Sequence, residues 1–294
     1  MSSSFKKSFA VAGANSAIGK ATVEALAKVP NTTTLVLMRK STPRPEWLPS
    51  TVAHAGIDYD DIEGTAAVLR EHKVKVVIAP VGHFAVPQQK PLASAAKEAG
   101  VQLFVPSEFG TPTKGWKKGE APHYLLPKIE VADHLEAIGL PSLRIFPGCF
   151  TEFIATLVGY NANKKVNILN SVTGEREFSV TTNPDIGAFV AHLVTHYPLS
   201  ALANQAFRIE GDRITLKSLA ATFNAPIERV DVIPVSPEIH LPSEFVAELQ
   251  RVTERGLLSI DTVVGEGDGA GGANGMWEGH HWTTVKEYLE GGAK

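Results

Sequence analysis

The sequence predicts an α/β protein: a doubly wound parallel sheet in residues 1–150 and a smaller second domain in 151–294, with part of 183–210 returning to the sheet. Three observations carry that reading. An apolar run at 9–12 breaks into the small residues Gly13-Ala14-Asn15-Ser16 and then into a helical pattern. Short apolar runs stopped by proline or glycine alternate with helical spacings as far as residue 146. Past residue 150 the alternation becomes irregular. Strands alternating with helices imply parallel strands joined by right-handed crossovers.

The elements follow in order. The first strand gives way to a helix over 17–28, with Ile18, Ala21 and Ala25 at helical spacing before Pro30. Residues 34–40 read as the second strand and 52–57 as a short apolar run, followed by Ile62, Ala66 and Leu69 at helical spacing. Residues 74–79 read as a buried strand stopped by Pro80. Residues 93–98 are helical and end at Gly100, where a C-terminal glycine is expected. The strand 101–105 stops at Pro106, the helix 128–138 closes with Gly139, and 142–146 forms another strand. Further on, Asn183-Pro184-Asp185 opens a helix, with Asn183 as cap, Pro184 at the first position and Asp185 on the positive end. Residues 211–215 read as a turn leading into a helix around Leu219, and the glycine-dominated stretch 265–279 as a surface loop.

Composition narrows the classes. Of 294 residues, 44% are hydrophobic and 20% charged, which suits a soluble globular protein with a large core. A net charge of −3 with no long basic run gives nucleic-acid binding no electrostatic support. No apolar segment reaches the roughly 20 residues that cross a bilayer, and the first eight residues carry no apolar signal segment. The single cysteine, Cys149, excludes an intramolecular disulfide. The expectation is a cytoplasmic protein that binds neither nucleic acid nor membrane.

In a doubly wound sheet the ligand lies at the carboxyl ends of the strands. Those ends carry Gly13, Arg39, Pro80-Val81-Gly82, Pro106-Ser107-Glu108 and Pro147-Gly148. The turn after the first strand offers backbone N–H groups to a pyrophosphate, with Gly13 and Gly19 six residues apart and Ser16 at the place of a middle glycine. In the NAD-type fingerprint an acidic residue roughly 20 positions on binds the ribose 2′-hydroxyl. Here Arg39 follows Gly19 by 20 residues, with Lys40 beside it. Two cations there suit a 2′-phosphate, so the turn reads as an NADP(H) site on a Rossmann fold. The other reading is a nucleotide-free turn with an exposed basic pair.

Tyr124 and Lys128 stand four residues apart, and on one helix they would share a face. Pro127 opposes that arrangement: a helix beginning near it leaves Tyr124 upstream in a loop. Reduction of a carbonyl or activated alkene needs a hydride donor, a proton donor and a pocket that excludes water. A lysine beside the nicotinamide can hold ribose hydroxyls, and burial that lowers its pKa makes it a proton donor or base. The alternative for Lys128 is a solvated helix residue.

Together, the glycine turn, Arg39, Pro80-Val81-Gly82-His83, Pro106-Ser107-Glu108-Phe109-Gly110 and Lys128 resemble the NmrA-like, isoflavone-reductase-like group of atypical short-chain dehydrogenases. That group includes phenylcoumaran benzylic ether and pinoresinol–lariciresinol reductases. The resemblance covers the N-terminal half and continues through Cys149-Phe150 and 183–187. It implies NADPH as donor, a two-domain fold, a lysine near the nicotinamide at Lys128, and Arg39 on the 2′-phosphate. The cofactor positions are then Gly13, Asn15, Ser16, Ile18, Gly19, Arg39, Lys40, Val81, Gly82, Ser107 and Lys128. Ser16 departs from the family's glycine. Tyr124 restores the Tyr-x-x-x-Lys spacing of ordinary short-chain dehydrogenases, with Ser107 as the accompanying serine; Lys128 stands first as catalytic residue and Tyr124 second.

Phe84, Phe109 and Phe150 follow strand ends, and with Phe153 and His240 they are the expected lining of the substrate pocket, capped by Trp116. Aromatic residues are more often plain core, but this placement favours a flat, apolar, aromatic substrate. His83 is either a cofactor or substrate contact or a loop residue bonded to backbone, and Glu108 reads as structural. The adjacent His280 and His281 point in different directions and do not suggest a metal site. The expected activity is NADPH-dependent hydride transfer to an aromatic carbonyl, enone or benzylic ether. The alternative is a non-catalytic NADP-binding redox sensor of the NmrA type, and a homodimer is left open.

Overall fold

The computed structural model describes residues 7–116, 119–264 and 271–291. The apolar run before Gly13 is β1 (Lys7–Ala12), whose last five residues are buried. It feeds α1 (Ala17–Ala27), β2 (Thr32–Arg39), β3 (Ala53–Ile57), α2 (Ile62–Glu71) and β4 (Val76–Ile78). Then come α3 (Gln89–Glu98), β5 (Leu103–Val105), α4 (Leu126–Ala137), β6 (Leu143–Phe146) and β7 (Cys149–Phe150). The short helices α5 (Ile154–Leu157) and α6 (Tyr160–Asn163) precede β8 (Val166–Leu169), β9 (Phe178–Thr181) and α7 (Asn183–His196). The chain continues through α8 (Leu199–Leu202), β10 (Gln205–Arg208), β11 (Asp212–Ile214), α9 (Leu219–Thr222), β12 (Ile227–Val230), α10 (Ser243–Glu254) and α11 (Val285–Glu290).

The chain divides into two units. The first holds residues up to Phe109, Trp116–Ile145 and Pro184–Phe207; the second holds Gly110–Gly115, Phe146–Asn183 and everything from Arg208. The first unit carries the predicted sheet, five parallel strands in the order β3-β2-β1-β4-β5. Ala12 pairs with Leu37, Val11 with Ile78, and Ile78 with Val105, so the carboxyl ends of β1, β2, β4 and β5 come out along one edge. The winding reverses beside β1, which opens a crevice between the ends of β1 and β4.

Side chains alternate across the sheet. Ala10, Ala12, Leu35, Leu37, Val77 and Phe104 face a core built with Leu69 of α2, Leu92 and Ala96 of α3, and Val131 and Leu135 of α4. On α7, Gly187 lets the helix approach α1 closely, since a Cβ there would sit 2.6 Å from the Ala21 methyl. In the second unit β9 lies between β7 and β11, and β8 pairs in parallel with β12. The buried Gln250 of α10 ties these parts together, accepting the Leu169 N–H and donating to the carbonyls of Leu157 and Asn167.

Three expectations need correction. The buried run 74–79 yields a strand of only three residues, because only Val76–Ile78 find ladder partners on both sides. The helix expected at 93 begins at Gln89: a 3-10 turn over His83–Gln88 runs straight into it, and Pro91 sits in the first turn, where no N–H is needed. The turn expected at 211–215 contains β11, because Gly211 donates to the Val180 carbonyl at 2.8 Å and opens an antiparallel ladder with β9. Of the glycine-rich stretch, 265–270 lies outside the described residues; the remainder contains a 3-10 turn at Asn274–Met276.

Candidate functional site

The turn after β1 is fixed by two glycines and a serine. Gly13 takes φ +87°, and a Cβ on it would sit 2.7 Å from the Pro80 carbonyl oxygen. A Cβ on Gly19 would sit 2.2 Å from the Gly13 carbonyl oxygen. Both positions therefore exclude every side chain. Ser16 closes the turn, donating its N–H to Gly13 at 2.9 Å and accepting the Gly19 N–H at 3.0 Å as N-cap of α1. Its hydroxyl also donates to the Pro80 carbonyl at 2.7 Å. The N–H groups of Ala17 and Ile18, first in α1, have no protein acceptor among the described residues. They stand at the positive end of the helix dipole and can bind an anion.

This turn forms one wall of a cavity of about 300 Å³. Gly13, Asn15 and Ser16 line it from the turn, Met38, Arg39 and Thr42 from the end of β2, Tyr59 from beyond β3, and Val81, Gly82, Ala85 and Gln88 from beyond β4. A Cβ at Gly82 would meet nothing within 4 Å, so this glycine leaves the wall open rather than relieving a clash. Arg39 is exposed, with its guanidinium 3.5 Å from the Gln88 side-chain oxygen. Burial raises the pKa of the Tyr59 phenol, and the Arg39 charge opposes that shift. The cavity thus brings together Gly13, Asn15, Ser16, Arg39, Val81 and Gly82 of the predicted set. Lys40, Ile18, Gly19, Ser107 and Lys128 are not in its lining.

A second cluster forms where β5 ends. Ser107 donates its hydroxyl to the Val81 carbonyl at 2.7 Å and its N–H to the Gln89 side chain at 2.8 Å, which ties the ends of β4 and β5 together. Lys128, in the first turn of α4, donates to the Glu108 carbonyl at 2.6 Å. The residue is half-buried, but its ammonium end is enclosed: desolvation is the largest influence on it and lowers its pKa, while the Glu108 charge works in the opposite direction. Burial, and then the Lys128 charge, lower the pKa of His83. Tyr124 lies on a 3-10 turn at His123–Leu125, upstream of α4, so it and Lys128 do not share one helix. Pro127 near the helix start was the signal for that break.

The predicted aromatic residues differ in burial. Phe84 is 82% exposed and Phe109 is buried, both in the first unit. Phe150 and Phe153 are half-buried and His240 is exposed, all in the second. Sequence reasoning missed Tyr59, Gln88 and Thr42. Asp58-Tyr59 directly follows the β3 run, so the strand-end rule that selected Arg39 would have found Tyr59; Gln88 carried no such signal.

A parallel sheet with its phosphate-type turn at the switch point defines a Rossmann-type α/β protein. The chain belongs to the NmrA-like family, which it matches over residues 5–289. It is similar to isoflavone reductase homolog P3 of Arabidopsis thaliana, with 30% identity over 207 residues. That match covers 64% of this chain and 65% of the relative, so the chain aligns with less than two thirds of the relative's length. Among solved structures it resembles an isoflavone reductase, at TM-score 0.75 and 21% identity over 97% of this chain and 99% of that one. It also resembles a leucoanthocyanidin reductase–NADPH binary complex from Vitis vinifera, at TM-score 0.72 and 18% identity over 95% and 97%. The expected resemblance to isoflavone-reductase-like proteins and the expected fold are therefore borne out. Among the described residues no helix is long and apolar enough to cross a membrane.

Proposed function

We propose that the protein is an NADPH-dependent reductase that delivers hydride to a small aromatic carbonyl, enone or benzylic ether. The observation that carries this reading is that Arg39 lines the same cavity as the Gly13–Ser16 turn. A cation where an NAD site carries an acid selects for a 2′-phosphate. Support for the substrate class comes from family membership and from the isoflavone and leucoanthocyanidin reductases that the chain resembles.

The residues present fit the cofactor. The N–H groups of Ala17 and Ile18 and the side-chain-free surfaces of Gly13 and Gly82 take the pyrophosphate, and Arg39 takes the 2′-phosphate. Tyr59 and Thr42 line the same cavity and would border the adenosine. Once bound, the nucleotide supplies the hydride. Lys128, held at the end of β5, binds ribose hydroxyls or gives a proton to the substrate oxygen as charge develops there. The Ser107 hydroxyl proton is engaged by Val81, which leaves this serine a supporting role.

Titration with NADPH and NADH, followed by quenching of tryptophan fluorescence, tests the reading. Trp47, whose ring lies 5.7 Å from the Lys20 ammonium of α1, the helix that the Gly13–Ser16 turn enters, is one reporter. Tight NADPH binding, weak NADH binding and turnover of an aromatic enone, ketone or ether support a reductase. NADPH binding with no turnover across that panel supports the sensor. In an active enzyme Lys128→Ala loses turnover while Tyr124→Phe keeps most of it; the reverse would return the site to Tyr-x-x-x-Lys chemistry.

A further inference from the structure

Glu108 is 1% exposed at the carboxyl end of β5, and a carboxylate is rarely buried that deeply unless it is paired. Its own N–H donates to Pro106 at 2.8 Å, which pins the turn. Its carbonyl accepts the Lys128 ammonium at 2.6 Å, and its carboxylate acts on that same ammonium through space. We propose that Glu108 is a positioning residue: its carbonyl aims the Lys128 ammonium, and its buried carboxylate keeps that ammonium charged in a site that strips it of water. The proposal rests on the reading of Lys128 as the proton-donating group of the reductase.

The physical need is specific. An enclosed ammonium loses hydration and tends to shed its proton, after which it can no longer donate one. A fixed negative charge opposes this without solvent access. The other groups around Lys128 do not serve. His83, on the 3-10 turn after β4, is a potential cation, and its charge would oppose that of Lys128. Glu130, two residues on in α4, is committed outward to Lys90 of α3 at 2.7 Å. Tyr124, on the turn before α4, carries a phenol and not a carboxylate.

The test is a pH titration of the Lys128 Nζ resonance by ¹⁵N NMR in the full chain without nucleotide, with the signal assigned by its loss in Lys128→Arg. In Glu108→Gln the midpoint should fall by about one pH unit or more, roughly tenfold in acidity, as expected for removal of an opposite charge that favours the ammonium. The alkaline limb of kcat against pH should move down by the same amount, with KM little changed. Glu108→Asp keeps the charge and should fall between the two; it decides the matter if Glu108→Gln does not fold. A folded variant whose Lys128 midpoint and alkaline limb stay in place would leave Glu108 a purely structural residue and overturn the proposal. Absence of turnover in the wild type would remove the reductase reading, while the Nζ titration would still report whether Glu108 holds the charge on Lys128.

Discussion

The Ser16 hydroxyl lies 2.7 Å from the carbonyl oxygen of Pro80, and so links the turn after β1 to the end of β4 across the switch point. The same oxygen caps α1 through Gly19. A glycine at this position would leave both neighbours to other partners. The departure from the glycine pattern is therefore a staple between two strands rather than a spoiled turn.

Ser16→Ala should remove the cap and the bond to Pro80 together, a loss of about 1 kcal/mol for each. The thermal midpoint of a chain this size should then drop by several degrees, on the order of 2–4 °C per kcal/mol. Calorimetry checks this, and an unchanged midpoint would mean that the hydroxyl makes neither bond in solution. Gly19→Ala should be far worse, because its methyl would overlap the Gly13 carbonyl, where backbone cannot yield.

Arg39→Ala should weaken NADPH by roughly 10- to 100-fold, the worth of a charge-assisted hydrogen bond. NADH, which lacks the 2′-phosphate, should change little. The comparison of the two dissociation constants is the measurement, and equal weakening would remove the phosphate role of Arg39. Removing the exposed guanidinium should not perturb folding, since its hydrogen-bond partner is the 3.5 Å contact with Gln88.

The first half of the fold was legible because β1, β2, β4 and β5 are largely buried on both faces and read as short apolar runs punctuated by proline and glycine, whereas β3 is mostly exposed. The turn after β1 was legible because φ +87° at Gly13 and the close approach at Gly19 admit only glycine. What stayed hidden depends on tertiary contact. The Ser16 staple needs Pro80, 64 residues away, and nothing local at Ser16 indicates that bond. Likewise, Glu108 read as structural because its relation to Lys128 spans 20 residues and forms only when β5 and α4 meet. β11 was missed because three residues are too few to display a strand period.

Lys128 also makes stability depend on pH. Its pKa is lowered in the fold, so between that value and the 10.5 of the unfolded chain the unfolded state binds more protons than the native one. Stability contributed by this group is complete above the unfolded value and is lost as pH falls toward the folded one. Lys128→Met, which carries no charge, should lack this dependence. Denaturant midpoints of the two proteins should therefore converge as pH rises toward 10.5, with the wild type gaining on the variant. Parallel curves would mean that the Lys128 ammonium is solvated after all.

Cys149 offers a clean probe of the second unit, because the chain has no other thiol. The residue is 7% exposed, its sulfur 3.6 Å from the Phe150 carbonyl in β7. Burial pushes its pKa up to about 12, and the neighbouring Glu152 charge adds to that shift. Only the thiolate attacks a disulfide or alkyl halide, so at pH 8 the reactive fraction is on the order of 10⁻⁴, against a few tenths for an unperturbed thiol. Native protein should consume almost no aromatic disulfide reagent over an hour, whereas denatured protein should take up one equivalent within minutes. Because β7 pairs with β9, labelling in mild denaturant should follow the opening of that sheet rather than unfolding of the five-stranded sheet in the first unit. Rapid stoichiometric labelling of the native protein would show that the β7 strand opens freely, and the thiol would then belong to a mobile edge and not to a core.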